Sequence, residues 1–325
     1  MNVRRLIPTA ATAGAVALGL MAVSACSVSS AADGRDEDGK LKAVASFYPM
    51  QFLVEEIGGD HVSVTTLTRP GVEPHDLELK PRQTAELNEA GYILYLKGVQ
   101  PAVDEAIAES EAKNKVDAAA LTELEHHGAE GGHSHGEHAE GGHEEEHAHE
   151  GDGADPHIWL DPVRYAEVAK GVEASLAKAD PDHAADYKKN AAALTKKLDA
   201  LNAEFAAGLK NTTTKTFITT HSAFGYLADR YGLDQEGIAG LDPESEPTPA
   251  RVKELQSIAE KEKVSTVFFE SLASDKTAKT LAEDTGLATD VLDPLEGITE
   301  KSKGADYIEV MRSNLAALKK ALGAK

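Results

Sequence analysis

Short apolar runs alternate with helical runs twice in this chain, on either side of a long unbroken helical stretch, and no other feature narrows the fold as much. In the first half, Leu41 to Phe47, His61 to Leu67 and Tyr92 to Leu96 read as strands. Helices are predicted there over Met50 to Ile57, Arg82 to Ala90 and Pro101 to Glu109. In the second half, Thr216 to Thr220, Val264 to Glu270 and Thr289 to Leu292 read as strands. Their helices fall over Phe224 to Tyr231, Val252 to Glu262, Asp275 to Thr285 and Asp306 to about Leu322. Alternation of this kind predicts mainly parallel sheets covered on both faces, so the fold class is α/β with two (βα) lobes. Between the lobes Asp161-Pro162 opens a helix that runs to about Lys178, with the Asp as cap and the Pro in the first turn. Asp180-Pro181 then opens a second, with Tyr187, Ala191, Leu194, Leu198, Leu201 and Phe205 on one stripe and an end near Leu209. At roughly 43 Å such a helix predicts a rigid strut joining the lobes.

In parallel sheets, ligand groups gather at the carboxyl ends of the strands. His75, in Pro70-Gly71-Val72-Glu73-Pro74-His75-Asp76, lies in the loop after a predicted strand. His221, in Ile218-Thr219-Thr220-His221-Ser222, and Asp293, in Val291-Leu292-Asp293-Pro294-Leu295, sit at strand ends as well. His157 stands in Asp155-Pro156-His157-Ile158-Trp159-Leu160-Asp161-Pro162 at the head of the helical stretch. A lone histidine beside the only Trp of a chain is usually a satisfied core residue. Three imidazoles and a carboxylate at strand ends instead point to one metal site in the interlobe cleft.

The first residues read as an export signal, with Arg4 and Arg5 ahead of the apolar run Ala10 to Val23. Val23-Ser24-Ala25-Cys26 resembles a bacterial lipobox, which would leave Cys26 as a lipidated N-terminus on the outer face of the cell membrane. Cys26 is the only cysteine, so neither a disulfide nor a thiolate metal site can form within one molecule. The arginine pair matches a twin-arginine signal poorly. Residues 1–25 are thus expected to be a signal peptide, 26–40 a flexible tether, 41–180 the first lobe, 181–210 the linking helix and 211–325 the second lobe. Gly34 to Lys40 spells most of a phosphate-binding loop, but Leu41 replaces the Ser or Thr and no strand precedes it. A formal charge of −22 argues against nucleic acid as a partner.

Eight of the thirteen histidines fall between His126 and His149, among Glu and Gly. This composition predicts a loop, 126–152, without a packed core and with weak, many-geometry metal binding. Within it, His143-Glu144-Glu145-Glu146-His147 spells the zinc-protease pattern, but its glycine flanks lack the core-embedded helix that the motif needs. The match is read as accidental.

With these motifs in order, the chain resembles the solute-binding lipoproteins of bacterial ABC transporters for zinc and manganese. The resemblance runs from about Leu41 to the C-terminus. It rests on the segments ending at His75 and Pro162, on Thr220-His221-Ser222-Ala223-Phe224, and on Leu292-Asp293-Pro294-Leu295. Glu244-Ser245-Glu246-Pro247-Thr248 and Phe268-Phe269-Glu270 are similar too. The resemblance implies metal ligation by His75, His157, His221 and Asp293, and a long helix that limits lobe closure. Manganese-specific relatives carry a glutamate where this chain has His221, and zinc-specific ones carry a histidine-rich loop where this chain has its own. Three neutral imidazoles with one carboxylate suit Zn²⁺, although copper and nickel also accept imidazole. Glu73 and Glu270 read as structural polar residues, with support of a ligand or spare coordination as the alternative. The implied function is a monomeric, lipid-anchored, extracytoplasmic receptor that delivers Zn²⁺ to a membrane permease driven by a separate ATPase. The alternatives are a manganese or other divalent-metal receptor, a metal-dependent adhesin and, last, a zinc hydrolase, for which a fourth protein ligand would leave no open position.

Overall fold

The computed structural model describes residues 34–127, 154–272 and 275–325. The expected signal peptide, Cys26, His143 to His147 and most of the histidine-rich loop lie outside the described residues.

The first lobe is built on β1 (Leu41–Ala45), β2 (Val62–Thr66), β3 (Tyr92–Tyr95) and β4 (Lys115–Asp117), all parallel, in the order β2-β1-β3-β4. Its helices are α1 (Tyr48–Gly58), α2 (Pro81–Glu89) and α3 (Pro101–Glu109), each with a proline in its first turn, where no N–H is needed. After α4 (Pro162–Ala179) and α5 (Ala184–Leu209), the second lobe repeats the plan. Its strands β5 (Thr216–Thr219), β6 (Asp234–Gly237), β7 (Thr266–Phe269) and β8 (Ala288–Val291) are parallel in the order β6-β5-β7-β8. They alternate with α6 (Gly225–Tyr231), α7 (Pro249–Lys261) and α8 (Lys276–Thr285), and α9 (Tyr307–Ala321) closes the chain. In each sheet the second strand lies on one side of the first, and the chain then crosses over to place the third on the other side. The order therefore reverses beside the first strand, and loops at the strand ends there part to leave a crevice.

Helix starts follow the expected caps. Asp161 accepts the Val163 N–H ahead of α4, Thr248 that of Arg251 ahead of α7, and Asp306 that of Glu309 ahead of α9. The linking helix differs at its start, because residues 181–183 form a 3-10 turn before α5. The cause is Asp180, whose buried carboxylate accepts from Arg35, His183 and Tyr187 and pulls the first turn inward. The end of the expected tether is folded as well. Residues 34–40 make a turn bridged from Arg35 to Leu41, with Gly34 against Gly91 so closely that a Cβ on Gly34 would lie 2.3 Å from the Gly91 Cα. The phosphate-loop spelling there is a structural turn.

The buried stripe of α5, Tyr187, Ala191, Leu194, Leu198, Leu201, Phe205 and Leu209, packs on α1 and α4 of the first lobe and on α6 and α9 of the second. One apolar core consequently runs through both lobes. Phe52 of α1 stacks on Tyr307 of α9 at 5.3 Å, and Tyr307 lies 4.6 Å from Tyr165 of α4. Leu201 is fully buried in this shared core. We expect Leu201→Ala to lower the unfolding free energy by about 2–5 kcal/mol. In urea, near-UV and far-UV circular dichroism should report a single transition; separate transitions for the two lobes would contradict a shared core.

Candidate metal centre

Four chain segments deliver side chains to one point between the sheets. His75 comes from the loop after β2 and His157 from the residue before a 3-10 turn at Ile158–Leu160. His221 follows β5, and Glu296 lies in the loop after β8. One ligand atom of each lies within 4.8 Å of the others. The Nε2 atoms of His75, His157 and His221 stand 3.4, 3.5 and 3.4 Å from Glu296 Oε1. His157 and His221 approach Nε2 to Nε2 at 3.4 Å. His157, His221 and Glu296 are buried, while His75 keeps 11% of its side chain exposed and so forms the outward wall.

Two of the rings are fixed from behind. His157 Nδ1 lies 2.7 Å from Asp155 Oδ1, and His221 Nδ1 lies 2.6 Å from Glu270 Oε1. A carboxylate only accepts, so each Nδ1 carries the proton and each Nε2 turns its lone pair to the centre. Asp155 also accepts the His157 backbone N–H at 2.9 Å, and Thr220 donates its hydroxyl to Glu270. Glu73 accepts the His75 backbone N–H at 3.2 Å. For Glu270 the structure favours the alternative over the reading as a structural polar residue, because its carboxylate supports a candidate ligand.

The electrostatics match a cation receptor. Burial, together with the charge of Glu296, pushes Glu73 up to about 9. Burial would likewise raise Glu296, but contacts from His157, His221 and His75 outweigh it and hold the carboxyl well below its usual range. Burial would lower His157 and His221, yet Asp155 and Glu270 reverse the sign and raise both. The Oε2 atoms of Glu270 and Glu296 are buried without a hydrogen-bond partner among the described residues. Buried acceptors that lack donors, beside converging imidazole nitrogens, form a donor set that fits a divalent cation.

The structure brings His75, His157 and His221 together but not Asp293. The Asp293 carboxylate is already engaged, with Oδ1 accepting the Leu295 N–H at 2.9 Å and Oδ2 the Ser271 hydroxyl at 2.8 Å. Asn314 of α9 braces the same residue, accepting its N–H at 2.9 Å and donating to its carbonyl at 2.7 Å. Trp159 donates its indole N–H to the Pro294 carbonyl at 2.7 Å. These bonds hold Leu295, fully buried, at a φ of 59°, a left-handed conformation costly for a branched side chain. The turn delivers Glu296, three residues on, to the imidazoles. The acid in Asp293-Pro294-Leu295-Glu296 was in plain view, but an Asp before a turn more often bonds its own backbone than a ligand.

Residues 43–321 match the family profile "Zinc-uptake complex component A periplasmic". The chain is 38% identical over 296 residues to the zinc-binding lipoprotein AdcA of Streptococcus pneumoniae, covering 88% of this chain and 56% of that protein. It thus spans little more than half the length of these AdcA relatives. It is 37% identical over 319 residues to the high-affinity zinc uptake system protein ZnuA of Bacillus subtilis, covering 94% of this chain and 96% of that one. In three dimensions it resembles the Zn(II)-bound ZnuA-like domain of Streptococcus pneumoniae AdcA, with TM-score 0.70, 34% identity and coverage of 87% and 99%. It also resembles the laminin-binding protein Lmb of Streptococcus agalactiae, described as an adhesin with metal-transporting activity, with TM-score 0.74, 30% identity and coverage of 87% and 99%.

Asp293 and Glu296 are separable by substitution. Asp293→Asn keeps an acceptor for Leu295 and a polar partner for Ser271, so metal affinity should stay within a few-fold, whereas Asp293→Ala should lower it by about 10–100-fold. Glu296→Gln removes the converging charge and should cost more than either. Titration calorimetry with Zn²⁺ reads all three; an Asp293→Asn loss as large as that of Glu296→Gln would make Asp293 a ligand.

Proposed function

The chain belongs to the periplasmic zinc-uptake component A family, and on that premise we propose that it is an extracytoplasmic receptor that captures Zn²⁺ and delivers it to an ABC-transporter permease. Its ligands are His75, His157, His221 and Glu296. The observation that carries this reading is the convergence of three Nε2 atoms on one carboxylate oxygen, with Asp155 and Glu270 fixing two of the rings. Three nitrogens and one oxygen favour Zn²⁺ over Mn²⁺, which prefers oxygen donors. Four protein ligands complete a tetrahedral shell, which supports a carrier over a hydrolase needing an open water position. Energy for uptake comes from a separate ATPase. Lipidation of Cys26 would keep the receptor beside its permease.

Capture must displace protons, because an imidazole coordinates only through a free lone pair. With His157 and His221 raised above their ordinary value, protons still compete at neutral pH. Zinc affinity should therefore fall continuously as pH drops from 7.5 to 5.5, as measured by competition with a chelator of known affinity. A flat response across that range would refute coordination by these imidazoles.

The direct test is metal stoichiometry on the full chain and on a form lacking residues 126–152. Both should hold one tight Zn²⁺ that Mn²⁺ does not match, and both should lose it on His157→Ala. If only the form with the histidine-rich segment held zinc tightly, that segment would be the metal site and the cleft assignment would fail.

A further inference from the structure

A second group of donor atoms lies behind the first. His127 Nδ1 is 2.8 Å from Asp155 Oδ2, so it too donates its proton to that carboxylate. Its Nε2 then faces Asp229 Oδ2 at 3.0 Å and Glu125 Oε2 at 3.6 Å. Asp155 holds two imidazoles back to back, one with Nε2 turned to the cleft and one with Nε2 turned outward. The outer ring has a fitted seat. A Cβ on Gly225 would lie 2.4 Å from the His127 Cγ, so only glycine leaves room there, and the Tyr226 ring packs edge-on at 4.5 Å. The seat is fixed by the chain on both sides. The Tyr226 hydroxyl accepts the Glu125 N–H and donates to the Asp155 carbonyl, both at 2.8 Å, and Asp155 donates its N–H to the Glu125 carbonyl at 2.8 Å.

We propose that Glu125, His127 and Asp229 form an outer site for a divalent transition-metal ion, distinct from the cleft. One imidazole nitrogen and two carboxylate oxygens, with water completing the shell, suit Zn²⁺. The outer site is weaker than the inner one for three reasons. It has three protein donors, Asp229 has a side chain 63% exposed, and Arg164 engages the other oxygen of Glu125. Because Asp155 is shared, filling one site changes the carboxylate that orients the ring of the other. This linkage, unlike the outer site itself, rests on reading His157 as a cleft ligand.

Crystals of the full chain soaked in excess Zn²⁺, with data at the zinc absorption edge, test the site directly. An anomalous peak bounded by His127 Nε2, Asp229 and Glu125 is expected in addition to the cleft peak. It should vanish in His127→Ala, and Asp229→Asn should weaken a second, low-affinity calorimetric event by about ten-fold, or 1.4 kcal/mol. The tight event should survive both substitutions. Density in the cleft with none at His127 would overturn the outer site and leave the receptor reading standing. Loss of the cleft peak alone would overturn the receptor reading and leave the outer site. Asp155→Ala should lower both affinities, and an unchanged outer affinity would remove the linkage.

Discussion

Two separate sheets can aim their strand ends at one small ion only if the distance between them is fixed. The buried stripe of α5 supplies that constraint. Its residues from Tyr187 to Leu209 are packed against helices of both lobes, so the lobes share an apolar core instead of meeting across a wet seam. Separating them would expose apolar surface at about 25 cal/mol per Å², a strong restoring force for an opening of any width. Everything at the centre inherits this rigidity. His75 and His157 come from the first lobe, His221 and Glu296 from the second, and one ligand atom of each lies within 4.8 Å of the others.

That rigidity permits burial of charge that would otherwise be costly. Asp155, Glu270, Glu296 and Asp293 are all buried, and an unpaired buried carboxylate is strongly unfavourable. Each finds partners in the imidazoles or in backbone and hydroxyl donors, so the polar centre is a network satisfied at most points. The exceptions are carboxylate oxygens at the middle, where a cation would sit. Networks of this kind specify geometry because removing a member leaves another uncompensated.

Much of this was legible in the chain. The Asp161-Pro162 pair marked the start of α4, and the α5 stripe could be read residue by residue. His75 and His221 declared themselves by their places after predicted strands, and His157 by its motif at the head of the helical stretch. What escaped notice has physical reasons. Strands β4 and β6 spell Lys-Val-Asp and Asp-Gln-Glu-Gly, with none of the apolar runs that betray their neighbours, because each forms the edge of its sheet and is partly open to solvent. The 3-10 turn before α5 depends on Asp180 finding Arg35, far away in sequence. Glu296 was hidden behind Asp293 because the left-handed bend at Leu295, which decides which acid reaches the centre, is set by Asn314 and Trp159 through contacts no local pattern records.

The walls of the cleft are unequal, and that asymmetry bears on the exchange of any ion held there. His157 and His221 are clamped by carboxylates and buried in the shared core. His75 is carried on a loop, is partly open to solvent, and among the described residues has no carboxylate behind its Nδ1. With wide opening opposed by α5, the His75 ring is the ligand that an ion bound as proposed would lose most readily. With the cleft holding its ion as proposed, a partner that shifted the loop at Pro70 to Asp76 would loosen the one imidazole not braced from behind and leave the spacing of the lobes unchanged.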